Sequence, residues 1–264
     1  MRILKKIFIW IGRILLFLFI SSVLMVVVYK YVPVHYTPLM FIRMAEQKKK
    51  GEKTKLEHTW VPLNRIAQPL VQAVIASEDN LFEEHGGFDF DQIQKAREDA
   101  KEGKRLRGAS TISQQTAKNV FLWPGRSFMR KGLEAYFTLL IEWIWGKERI
   151  MEIYLNSIEM GKGIYGAEAV AKAHFNKKAY QLTKQEAALI AASLPNPLVY
   201  NSGNPSAYLR KRQAKIISLM GKLLKVKMGY DASTNPGGGR IKKGKKITAI
   251  NYCLKNNINI IHCS

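Results

Sequence analysis

The chain has 264 residues and is 47% hydrophobic, enough for one sizeable core plus tails. Its 42 Lys+Arg against 20 Asp+Glu leave a formal charge of +22, which calls for an anionic partner: nucleic acid, an anionic membrane surface or a phosphorylated substrate. The two cysteines, Cys253 and Cys263, lie near the C-terminus, so a disulfide framework and a CxxC metal site are excluded from the rest of the chain.

From Ile7 to Tyr29 the only charged residue is Arg13. That length suits a helix crossing a bilayer, which needs about 20 apolar residues. Arg2, Lys5 and Lys6 precede the run and place the N-terminus in the cytoplasm. A cleaved signal peptide fits less well, because the run is long and no A-x-A site follows it; the first alanine is Ala45. With one span, everything after Lys30 lies outside. The stretch His35 to Ala45 is apolar and is followed by the basic KKKGEKTK, which suits either a membrane interface or an ordinary linker.

From Trp60 to about Met228 the pattern is globular and largely helical. Pro69 opens an apolar-periodic run to Phe82. Ser110 is placed to cap a helix through Phe121, and Ser127 starts a helix reaching Trp145. Lys147 to Asn156 is a further helical pattern. Thr183 and Glu186 form a capping box for a helix ending at Ser193, and Pro205 to Met228 reads as a basic amphipathic helix. Alternating strand patterns are scarce. Residues 229–264 are rich in Gly, Asn and Lys and read as a basic, mobile tail. The expected organisation is a cytoplasmic end and span at 1–30, a membrane-proximal linker at 31–58, a catalytic domain at 59–228, and the tail.

Four blocks carry polar residues in patterns that allow chemistry. In ASEDNLFEEHGGFD, Glu78 shares the stripe of Val71, Val74, Ile75 and Phe82. Desolvation there raises a carboxyl pKa, as a general base or acid near neutrality requires. A helix-end carboxylate that caps a loop has the same pattern, and periodicity alone favours it. Asp79 and His85 read as structural. In RGASTISQQTAKN, Gly108 and Ala109 precede a helix N-terminus whose N–H groups attract anions. There Ser110, Gln114, Gln115 and Lys118 suit a sugar phosphate as well as they suit a capped, solvated helix. In GRSFMRKGLEAYF, three cations (Arg126, Arg130 and Lys131) crowd Glu134. The plain reading is a helix-face ion pair, and the functional one is a pyrophosphate clamp. The block from Lys147 to Phe175 reads as mainly structural.

In order and together, these blocks resemble the family 51 glycosyltransferases, the monofunctional peptidoglycan transglycosylases and the matching half of class A penicillin-binding proteins. The first block fits E-D-x-x-F-x-x-H-x-G-x-D through Glu78, Asp79, Phe82, His85, Gly87 and Asp89. The second fits S-T-I-x-Q-Q-x-x-K-N from Ser110 to Asn119, and the third fits R-K-x-x-E through Arg130, Lys131 and Glu134. The fourth fits K-x-x-I-x-E-x-Y-L-N through Lys147, Ile150, Glu152, Tyr154, Leu155 and Asn156. Departures are Ala109 where many members have Gly, Thr116 where many have Leu, and Leu133 where some have Lys.

The resemblance implies a mainly α, lysozyme-like domain with a small membrane-proximal lobe, behind one transmembrane helix. It implies polymerisation of glycan from lipid II on the outer face of the cytoplasmic membrane, with inversion. Glu78 and Glu134 become the catalytic pair, as acceptor base and as assistant at the donor pyrophosphate. Ser110, Gln114, Gln115, Lys118, Arg126, Arg130 and Lys131 become substrate contacts. A divalent cation, magnesium or manganese, at Glu134 is the one cofactor considered, and no organic cofactor is expected. Lipid II, the growing strand, membrane lipids and other cell-wall synthesis proteins are the expected partners. A lysozyme-like hydrolase also works beside glycan with a Glu, but needs neither the basic cluster nor the anchor. A bare anchor leaves the four blocks unexplained. Nucleic acid fails because the span puts the charge outside the cell. A transpeptidase half is excluded by the absence of S-x-x-K and K-T-G.

Overall fold

The computed structural model describes residues 2–103, 108–125 and 127–223. The tail at 229–264, both cysteines and Arg126 lie outside the described residues.

Helices dominate, as the sequence patterns lead one to expect. In chain order they are α1 (Arg2–Tyr31), α2 (Pro38–Lys49), α3 (Gln68–Glu78), α4 (Phe90–Lys101), α5 (Ile112–Phe121), α6 (Phe128–Ile144), α7 (Lys147–Ser157), α8 (Ala167–Phe175), α9 (Lys184–Ser193) and α10 (Ala207–Lys222). Three short strands, β1 (Glu57–His58), β2 (Glu159–Gly161) and β3 (Ile164–Tyr165), form one small sheet in the order β1-β3-β2. β1 runs parallel to β3 and β2 antiparallel to it. These strands are too short to show an alternating pattern in sequence.

Local chemistry sets most boundaries. Thr183 and Glu186 close the expected capping box of α9, and Ser127 caps α6 by accepting from the Arg130 N–H. Two expectations shift. The cap of α5 is Thr111, one residue after Ser110, because its hydroxyl accepts from the Gln114 N–H while the Gln114 side chain returns a bond to the Thr111 backbone. The run from Pro69 stops as a helix at Glu78, because Asp79 leaves helical geometry at φ −163 and ψ 80. Phe82 is nevertheless fully buried, so its apolar period reflects packing of the turn rather than continuation of the helix.

The core forms where two helical groups meet. α3, α9 and α10 pack on one another, and α5 packs on α6 and α7. Leu70, Val74, Ile112, Ile150, Ile153 and Ile190 are all wholly removed from solvent. α9 is buried on nearly every side, which its alanines at 187, 188, 191 and 192 allow by admitting close neighbours.

α1 is long and apolar enough to cross a membrane, with a mean hydropathy of 2.6 over its most apolar window. Every side chain from Leu4 to Ile20 is exposed, whereas Val26 is fully buried. The helix therefore docks by its C-terminal third. The Trp145 indole N–H donates to the Val26 carbonyl at 2.7 Å, and the Ser22 and Tyr136 hydroxyls are 2.8 Å apart. Arg149 donates to the Tyr29 carbonyl at 2.8 and 3.1 Å and to the Val32 carbonyl at 2.7 Å, while its guanidinium lies 5.2 Å from the Trp60 ring centroid. A cation on the orphan carbonyls of a helix C-terminus satisfies them and complements the dipole. α2 is tied to the sheet instead, through Arg43 and Glu159 at 3.2 Å.

The crossing of β1 over the β2–β3 turn requires glycine. Gly163 adopts φ +68, and a Cβ there would collide with the Lys55 carbonyl. Gly51 adopts φ +69 with open space around it. Both Gly→Ala variants pay the left-handed conformation, about 1–2 kcal/mol, but only Gly163→Ala adds a backbone clash. In thermal unfolding of the full chain, Gly163→Ala is expected to melt well below Gly51→Ala; equal midpoints would contradict the crossing.

Candidate active site

Glu78 is the last residue of α3, and its carboxylate is held on both sides. Ser77 Oγ donates to Oε1 at 3.1 Å, and Gln115 Nε2, from α5, donates to Oε2 at 3.2 Å. The amide of Gln115 is itself oriented, because the Tyr154 hydroxyl donates to its Oε1 at 3.2 Å. Tyr154 is fully buried on α7, and burial holds its phenol un-ionised, well above its ordinary pKa. Burial also raises the Glu78 pKa. The hydrogen bonds from Gln115 and Ser77 and the positive charge of Arg212 oppose that rise, and the neighbouring Asp79 adds to it. The result is a carboxyl group with a raised pKa and defined donors.

Asp79 sets the frame around it. Its carboxylate contacts His85 Nε2 at 2.9 and 3.0 Å and accepts from the Ile112 N–H at 2.9 Å. The sequence suggests that the N-terminus of α5 attracts an anion from the substrate. The structure fills that end from within: Asp79 takes the Ile112 N–H, and Thr111 Oγ1 takes the Gln114 N–H. Gln114 is buried, and its Oε1 accepts from the Thr111 N–H at 3.0 Å. Ser110 is exposed, and its carbonyl lies 3.5 Å from Gln115 Nε2.

The loop after Asp79 lies flat on α6. Gly87 adopts φ +94, and a Cβ there would fall 2.8 Å from Thr138 Cγ2 and 2.9 Å from Glu142 Cγ. Its N–H donates to His85 Nδ1 and its carbonyl accepts from the Thr111 hydroxyl. Lys147 pins the same loop, reaching the His85 carbonyl and Glu142 Oε1, both at 2.6 Å, with its ammonium 4.7 Å from the Phe82 ring centroid. Ser113 donates to the same Glu142 oxygen.

The second glutamate sits in a different setting. Glu134, on α6, is buried and accepts from Arg130 Nη1 at 2.7 Å and from the Lys131 ammonium. Lys118, on α5, feels the same carboxylate. Burial lowers the Lys118 pKa, Glu134 raises it, and the charges of Arg130 and Lys131 lower it further. The Arg130 Nε is buried with no hydrogen-bond partner among the described residues. The structure thus brings Glu78 and Gln115 together, and separately Lys118, Arg130, Lys131 and Glu134. Gln115 and Lys118 are three residues apart on α5, about 4.5 Å along its axis, so one helix serves both groups.

The donor set at Glu134 does not fit a resident divalent ion. Its two oxygens are engaged by a guanidinium and an ammonium, and among the described residues no cluster of three His, Cys, Asp or Glu side chains could hold a metal. The positive charge available to an anionic ligand there belongs to the side chains themselves.

Sequence reasoning missed Ser77, Arg212, Ser113 and Glu142, and placed Tyr154 in the core without a polar task. Glu142 and Lys147 are five residues apart across the break at Gly146, a spacing that no helical rule pairs.

Because its pKa is raised in the fold, Glu78 retains a proton that the unfolded chain loses first. From about pH 4.3, the ordinary glutamate value, up to the folded pKa, the native state binds more protons and stability falls as pH rises. Glu78→Gln removes that penalty. The variant is expected to melt above the parent at neutral pH and level with it below about pH 4. Equal midpoints at both pH values would show that the carboxyl carries no raised pKa.

Comparison with known proteins gives the family. The family model described as Transglycosylase matches residues 45–221. The chain is 59% identical over 216 residues to a biosynthetic peptidoglycan transglycosylase of Bacteroides thetaiotaomicron, covering 82% of this chain and 87% of that protein. It is 52% identical over 196 residues to the protein of the same name in Caulobacter vibrioides, covering 74% and 83%, and 47% identical over 225 residues to that of Shewanella oneidensis, covering 84% and 95%. With the family model spanning most of the chain and these relatives matched over most of their own length, the chain belongs to the transglycosylase family and is a glycosyltransferase.

Proposed function

We propose that this transglycosylase lengthens peptidoglycan by passing the growing, lipid-pyrophosphate-linked strand to the 4-hydroxyl of an incoming lipid II. Glu78 takes the proton from that hydroxyl as its oxygen bonds to the donor's anomeric carbon. The bond from that carbon to the pyrophosphate breaks, and the lipid pyrophosphate leaves as an anion. Attack from the face opposite the leaving group converts an α-linked donor into a β-1,4 linkage. The observation that carries this reading is the division along α5. A desolvated carboxylate held by Gln115 and Ser77 lies at one turn, and Lys118, Arg130 and Lys131 gather around Glu134 about one turn further on.

The transition state has oxocarbenium character, as in glycoside hydrolysis. A pyrophosphate leaving group needs no protein acid, because preorganised cations can stabilise its charge. Glu134 then keeps Arg130 and Lys131 aimed and spaced. A hydrolase's second carboxylate would face the sugar, whereas this one is tied to two cations.

The anchor supports an extracytoplasmic site. Arg2, Lys5 and Lys6 precede the span, which favours a cytoplasmic N-terminus and a catalytic domain on the outer side of the inner membrane. Phe128, Met129, Leu139 and Trp143 of α6 are exposed, on the helix to which α1 docks, and suit contact with lipid.

The test is polymerisation of labelled lipid II by detergent-solubilised full chain, reading product length. Glu78→Gln is expected to slow polymerisation by about 10²–10⁴-fold with donor-analogue affinity retained. Glu134→Gln is expected to weaken donor-analogue binding as well. Near-normal polymerisation by Glu78→Gln, or soluble fragments as the main product, would overturn the reading.

A further inference from the structure

α10 buries one face through Leu209, Ile216 and Met220, and Arg212 falls on that same face, three residues after Leu209 and four before Ile216. The helix packs against α9 and α3. A cation on the packed face of a helix is costly unless something there uses its charge. No carboxylate lies within ion-pair distance of Arg212 among the described residues, and its Nε is buried without a hydrogen-bond partner among them. What it does reach is Ser77: its Nη2 lies 3.5 Å from the Ser77 hydroxyl oxygen, the hydroxyl that donates to Glu78.

We propose that Arg212 is a positioning residue for the transfer reaction: from α10 it orients the Ser77 hydroxyl toward Glu78 and places a positive charge behind that half-buried carboxylate. The proposal rests on the reading of Glu78 as the acceptor's base. The oxygen of Ser77 has two neighbours that compete for its one proton, Glu78 Oε1 at 3.1 Å and the Ala191 carbonyl at 3.5 Å. A guanidinium N–H directed at that oxygen occupies a lone pair and leaves the proton to point at the carboxylate. The other groups facing Glu78 do not supply a cation. Asp79, next along the chain, is an acid; Gln115 of α5 is neutral; Tyr154 of α7 is held un-ionised by burial. Burial and Asp79 both push the Glu78 proton on, and Arg212 is the charge that opposes them.

The experiment is the pH dependence of the polymerisation rate for wild type, Arg212→Gln, Arg212→Lys and Glu78→Gln, each as full chain in detergent, with melting temperatures recorded in parallel. Removing the cation is expected to shift the acidic limb of Arg212→Gln upward by about one pH unit, with the alkaline plateau recovering to within a few-fold of wild type. Arg212→Lys keeps the charge and is expected to hold the limb within a few tenths of a unit. If Arg212→Gln does not fold, Arg212→Met keeps the aliphatic stem and takes its place. An unmoved limb with a lowered plateau, or a limb displaced as far by Lys as by Gln, would reduce Arg212 to a packing role and overturn the proposal. The Glu78→Gln arm separates the two claims: a disabled Glu78→Gln beside an unmoved Arg212→Gln limb defeats Arg212 alone, whereas an active Glu78→Gln defeats the base assignment on which the proposal stands.

Discussion

The carboxylate of Asp79 accepts from the Ile112 N–H and meets both its oxygens with His85. It thereby fastens the C-terminus of α3 to the N-terminus of α5, two elements separated by a long loop and by α4. Glu78 is the residue before Asp79, and Gln115 is three after Ile112, so one clasp fixes the distance between the carboxylate and its donor. The helix dipole and the free N–H groups at the start of α5 favour an anion, and the protein supplies that anion itself. His85 passes the constraint to Gly87, and Lys147 and Glu142 hold that loop on α6. An anion site inferred from a helix terminus is thus already filled by the protein's own carboxylate.

Two carboxylates served by one helix acquire different tasks from their surroundings. Glu78 has neutral donors and burial, with the nearest opposing charge reaching it through Ser77. Glu134 has a guanidinium and an ammonium in direct contact. The first is suited to moving a proton, and the second to holding two cations in place. Lys118 is tuned between burial and Glu134, so the cluster is a balanced group of charges rather than a row of independent cations. Holding desolvated charge in this way opposes stability, which is a common consequence of building a reactive site.

Much of this is legible in the sequence, for identifiable reasons. The capping box of α9, the Ser127 cap of α6 and the start of α7 are local, and each falls where the residue pattern puts it. The cap of α5 is one residue off because Ser110 and Thr111 are both competent caps, and only the tertiary bonds to Asp79 and Gly87 choose between them. Glu78 shares its stripe with apolar neighbours, so its burial is readable, but the identity of its donors depends on how α5 and α7 pack. Gln114 and Gln115 are adjacent and chemically alike, yet one turns back into the cap and the other forward to Glu78. The two short-range ion pairs at Glu134 follow from i, i+3 and i, i+4 spacing. Arg212 lies on the apolar stripe of α10, a sign visible in sequence, but its target lies 135 residues away on another helix.

The anchor is part of the same frame. Arg149 closes the C-terminus of α1 and lies in the helix that carries Tyr154, the residue that orients Gln115. The apolar helix is therefore seated on the elements that build the site. The most direct test of the whole account is the titration of the Glu78 carboxyl itself, followed by isotope-edited NMR of the full chain in detergent, beside the acidic limb of its polymerisation rate. The account predicts one midpoint for both, above the ordinary glutamate value. A Glu78 that titrates at the ordinary value, or a limb at a pH unrelated to it, would contradict it.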